Sequence, residues 1–85
     1  MKLRSDGITW QEIDGELVIL DLKSSTYLTT NGSGAFLAKL LTEERTTDEL
    51  EHALAAEYEI SAAVAQADTA AFIDQLVEKK LLASS

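Results

Sequence analysis

The chain has 85 residues, with 15 Asp and Glu against 7 Lys and Arg, giving a net charge of -8 and a pI of about 4.4. One domain is expected, of a size that buries only about two-thirds of its unfolded surface, with no room for separate catalytic and regulatory domains. No cysteine is present, which excludes disulfides, thiolate metal sites and Cys nucleophiles.

A chain with 46% hydrophobic residues can close one core. Its negative charge repels polyanions such as DNA, RNA and acidic membrane surfaces at long range. Charge of this kind serves solubility first, and as a binding signal it favours a neutral or basic partner. The opening Met1 to Gly7 has two bases and no apolar h-region, and no apolar run approaches the ~20 residues of a membrane span. A cytoplasmic location is expected. Residues 1–7 and 83–85 are expected to fray.

The first third of the chain predicts strands. Ile8-Thr9-Trp10-Gln11-Glu12-Ile13 and Glu16-Leu17-Val18-Ile19-Leu20-Asp21 flank Asp14-Gly15, a pair suited to a tight hairpin because both turn positions need positive φ. A polar turn, Lys23-Ser24-Ser25, leads to a third short run, Thr26-Tyr27-Leu28-Thr29-Thr30. The result is an antiparallel meander whose first and third strands are edges.

Three helices should follow. Asn31 can cap the first, with Phe36, Leu37, Leu40 and Leu41 as its apolar stripe. Gly32 and Gly34 fall in its first turn, where each costs roughly 1 kcal/mol of propensity relative to Ala; a close neighbouring backbone would account for them. Thr46 and Glu49 have capping-box spacing, and Leu50, Ala53, Leu54 and Tyr58 would be the buried face of the second helix. The third is expected from near Ser61 to about Lys80, packing through Phe72, Ile73, Leu76 and Val77. Three strands then three helices is the content of a winged-helix-like α+β domain.

Catalysis finds little support. His52 is the sole histidine and sits among Asp48, Glu49 and Glu51. Glu49 and His52 share a helical face, but no third metal ligand follows at the needed spacing. Ser24, Ser25, Ser33 and Ser61 lie in no nucleophile elbow, and Gly32-Ser33-Gly34 lacks the lysine of a phosphate loop. No catalytic residue, metal or cofactor is expected. Between Thr42 and Val77 the single base is Arg45, so the third helix would present acid to a DNA groove that demands Lys or Arg. Neither nucleic acid nor membrane is an expected partner.

The third strand is informative for what it lacks. Ser25 to Thr30 holds no charge and no proline, the devices that ordinarily blunt an edge. Thr26, Tyr27, Leu28 and Thr29 therefore form a template for an added strand, or an edge that a helix or a dimer partner covers. On the third helix, Val64, Ala67, Asp68, Ala71 and Gln75 share a face beside the core stripe. Their small side chains suit a groove, and equally suit the ordinary boundary of an Ala-rich helix.

These residues resemble a known family. Asp14-Gly15-Glu16-Leu17-Val18, Tyr27 shortly before Asn31, and Asn31-x-Ser33-Gly34-x-Phe36-Leu37-x-x-Leu40-Leu41 match in order and spacing. So do Thr46-x-x-Glu49-Leu50, Tyr58, Asp68-x-x-x-Phe72-x-x-x-Leu76 and the Leu81-Leu82 ending. From Ile8 to Leu82 the chain resembles the PqqD-like proteins, the recognition elements for ribosomally made precursor peptides. It departs at Thr30, Thr69 and Lys80, where the family usually has leucine, valine and, nearby, glycine.

The resemblance implies that a precursor's leader adds a strand to the third strand, in the cleft against the third helix. Thr26, Tyr27, Leu28, Thr29, Val64, Ala67, Asp68 and Ala71 would form that peptide site. In size and style the chain looks most like the leader-binding half of the split B protein of lasso-peptide clusters. Such a likeness implies a papain-like leader peptidase as partner, with the macrocycle-forming cyclase as a further candidate. Two alternatives stand beside it: a PqqD-like subunit for quinone-cofactor or radical-enzyme maturation, and an acidic adaptor that homodimerises through its edges.

Overall fold

The computed structural model describes residues 1–83; the side chain of Asn31, expected above as a helix cap, lies outside the described set. Three strands, β1 (Ile8–Ile13), β2 (Glu16–Asp21) and β3 (Thr26–Asn31), precede helices α1 (Gly32–Leu40), α2 (Thr47–Tyr58) and α3 (Ala62–Glu78). The sheet is antiparallel in the order β1-β2-β3, so the expected α+β architecture is the one observed. Asp14 and Gly15 turn the first hairpin at φ of 50° and 82°, and Ile13 pairs directly with Glu16. In the next turn the Asp21 carboxylate accepts from the Lys23 backbone N–H at 3.0 Å, while Ser25 takes a φ of 57°.

Helix starts follow their caps. Thr46 and Glu49 close a reciprocal capping box, each side chain bonded to the other's backbone N–H. The hydroxyl of Ser61 accepts from the Val64 N–H at 3.2 Å. Chain entry into α1 is left-handed at Gly32, φ +50°. Gly34 is small for a different reason: a Cβ there would lie 3.3 Å from Thr30 and 3.6 Å from the Phe72 ring. Neighbouring side chains, rather than a backbone, crowd it.

The core lies between one sheet face and the helices. Leu17, Ile19 and Leu28 meet Leu37 and Leu41 of the α1 region, Leu50 and Leu54 of α2, and Phe72 and Leu76 of α3. Truncating a fully buried member such as Leu54 to Ala is worth about 2–5 kcal/mol of lost transfer energy and cavity.

Two expectations are corrected. Val77 is 59% exposed, because the buried residues of α3 are Ala65, Thr69, Phe72 and Leu76 and Val77 is rotated ~100° beyond the last of them. Tyr58 is half exposed and packs edge-on against Phe36, ring centroids 5.9 Å apart. The N-terminal segment, expected to fray, is bonded back onto the fold at several points. Leu3 is buried and bridges to Leu82, its N–H donates to the Leu41 carbonyl at 2.8 Å, and Arg4 donates to Leu81. Ala83 donates to the carbonyl of Lys2 at 2.8 Å.

Candidate peptide-binding groove

The strand register decides which backbone groups face outward. In a two-residue hairpin the residues flanking the turn bond each other, so the N–H and C=O of Glu16 face β1. Parity then turns Leu17, Ile19 and Asp21 toward β3, where they oppose Thr30, Leu28 and Thr26. Two contacts agree with this phase: Leu22 donates to Gly7 on the β1 side, and the Leu17 carbonyl accepts from the Thr30 hydroxyl at 3.2 Å. On β3, therefore, Tyr27 and Thr29 aim their N–H and C=O away from the sheet. Leu28 does the reverse: its polar backbone serves β2 and its side chain is core.

Beyond that edge stands α3. Among the described residues no Cα of β3 comes within 8 Å of a Cα of α3, and the space between is hollow. One cleft of about 310 Å³ is lined by Thr29, Thr30 and Gly34 on one wall and Asp68, Ala71 and Gln75 on the other, with Phe72 among its lining residues. A second, of about 460 Å³, follows Ser25 to Thr29 and meets Lys79. The start of β3 thus faces the end of α3. A strand laid along Tyr27 and Thr29, ~4.8 Å out, would send alternate side chains toward Asp68, Ala71 and Gln75.

Of the residues singled out in the sequence, Thr29, Asp68 and Ala71 line one cleft and Thr26 to Thr29 the adjoining one. Val64 and Ala67 line neither; both are exposed and lie nearer the start of α3. Helical phase identifies a face but not where along the axis a strand crosses it. Phe72 and Lys79 were missed as lining residues, Phe72 because its spacing marks it for the core and Lys79 because it follows the last helical turn. Asp68 is exposed and has no cation within 4 Å among the described residues, leaving its carboxylate free to accept.

Fold and groove together define a winged-helix-like α+β module with an open, helix-walled sheet edge. The chain belongs to the PqqD family, whose model, coenzyme PQQ synthesis protein D, matches residues 16–82. Two solved structures are similar. TbiB1 in complex with the TbiA(beta) leader peptide is 32% identical, with a TM-score of 0.85 over 100% of this chain and 98% of that one. A lasso peptide synthetase B1 complexed with the leader peptide is 28% identical, with a TM-score of 0.79 over 94% of this chain and 93% of that one. No curated protein sequence matches the chain.

Proposed function

We propose that this protein is a single peptide-recognition domain, residues 1–85, that binds the leader of a precursor peptide in lasso-peptide biosynthesis. It catalyses nothing itself. The observation that carries this is the unpaired edge of β3 facing α3 across a cleft. Tyr27 and Thr29 supply strand hydrogen bonds, and the wall of Asp68, Ala71 and Gln75 reads side chains. Holding the leader raises the local concentration of the attached core peptide at a modifying enzyme. The partner this role calls for is a papain-like leader peptidase, with the macrocycle-forming cyclase as a further candidate, and the setting is the cytoplasm. No helix among the described residues is long and apolar enough to cross a membrane.

The family description favours a second reading, in which the same groove serves quinone-cofactor maturation. The likeness of both solved leader complexes over nearly the whole chain favours the lasso assignment. Calorimetry with synthetic leaders of the two classes separates them. Ala71→Trp fills the cleft from an exposed position, so the lasso leader should bind the variant roughly 30-fold or more weakly, since anchors in desolvated pockets are worth a few kcal/mol. Undiminished affinity in a folded Ala71→Trp protein removes the cleft from the mechanism.

A further inference from the structure

Four of the chain's seven bases, Arg4, Lys23, Lys79 and Lys80, line one cleft of about 490 Å³. They come from the N-terminal segment, the β2–β3 turn and the end of α3, so only the fold assembles them. The cleft continues the groove: Thr26 and Lys79 line both it and the hollow along β3.

Two of the bases are already answered. Arg4 bonds the buried Asp21 carboxylate at 2.6 Å, and Lys23 pairs with Asp6. Lys79 and Lys80 have no carboxylate within 4 Å among the described residues, although Glu78 lines the same cleft. The dipole of α3 favours cations at its C-terminal end, a role open to both lysines. Lys80 sits at φ +59°, a left-handed conformation that disfavours any side chain and leaves glycine free. A lysine at that place accepts backbone strain and adds to the same cleft a second base with no carboxylate within 4 Å among the described residues.

Building on the proposed leader binding, we infer that this cleft is an acid-reading subsite that takes a carboxylate side chain of the bound peptide. The sheet is antiparallel throughout. A leader that continues that sense brings its C-terminal side to the start of β3, so the acid lies just C-terminal to the paired segment. In a protein of net charge -8 this is a local inversion of sign, which fixes the register of a peptide that backbone bonds alone would let slide.

The test uses a displayed library of random peptides of about 16 residues, long enough at ~3.4 Å per residue to cross the groove and its ends. The full chain should select peptides enriched in Glu or Asp on the C-terminal side of the paired segment. K79A/K80A should lose that enrichment and bind a selected acidic peptide roughly 10-fold more weakly, a scale set by charge-assisted contacts at a partly exposed site. The Glu→Gln version of the peptide should bind both proteins alike. Raising the salt concentration on the unmodified protein should weaken the acidic peptide and spare the Gln version, a readout independent of how the variant folds. Peptides that bind without acidic bias, or a bias that persists in K79A/K80A, overturn the subsite and leave leader binding standing. If no peptide binds the unmodified protein, leader binding falls and the subsite falls with it.

Discussion

The sheet has two free edges, and they differ. By the same parity that turns Tyr27 and Thr29 outward on β3, Ile8, Trp10 and Glu12 turn outward on β1. Both edges thus carry backbone groups with no strand partner among the described residues. β1, however, bears a charge at its edge, Glu12, held by Lys39 at 3.1 Å, and contributes to none of the three clefts. β3 has no charge and lies across a hollow from α3. An edge supplies affinity through its backbone, but it discriminates among sequences only when a second surface receives side chains. The difference between a surplus edge and a binding site is the opposing wall.

Proline placed along the edges tests this comparison most severely. Leu28→Pro removes a donor that β2 uses and a buried side chain, and should cost about 3 kcal/mol or more, enough to unfold the domain in a circular dichroism melt. Thr29→Pro removes an outward donor, a position where edge strands tolerate proline. It should leave a folded protein with leader affinity down about 100-fold by calorimetry, the scale of one lost strand bond with its steric clash. Glu12→Pro makes the same change on β1 and should leave affinity unaltered. Equal losses at Thr29 and Glu12 would dissolve the distinction between the edges.

Smaller changes sharpen it on the wall side. Asp68→Asn keeps the shape and removes the charge, so leader binding should weaken by about 1 kcal/mol, roughly fivefold in Kd. The Thr69 hydroxyl is buried with no hydrogen-bond partner among the described residues, on the core-facing side of α3. Thr69→Val should therefore raise stability by about 1 kcal/mol, or 4–8 °C in Tm, without altering leader affinity. A change in affinity would mean that the core side of the helix sets the position of the wall.

Much of this was legible in the residues. Asp14-Gly15, the Thr46–Glu49 box and the Ser61 cap act over a few residues, so local chemistry alone located the first hairpin and two helix starts. The uncharged run Thr26 to Thr30 marks the edge from its composition alone. What escaped depends on distance along the chain. Val64 and Ala67 share the helical phase of Asp68 and Ala71, yet only the docking of α3 decides which stretch of that face lies opposite β3. Arg4, Lys23, Lys79 and Lys80 form no sequence motif. Leu3 stands in a segment too short for any periodicity, and its partner Leu82 lies at the far end of the chain.

That pairing has a consequence for how the domain assembles. Each strand pairs with its neighbour in sequence, α2 packs on α3, and such local contacts form early because they close short loops. The Leu3–Leu82 bridge closes a loop of nearly the whole chain, whose entropy is lost only once the rest is in place. The N-terminal segment is accordingly expected to dock last. Its docking secures Leu81 and Leu82 directly after Lys79 and Lys80, so the basic end of the groove should be completed late in folding.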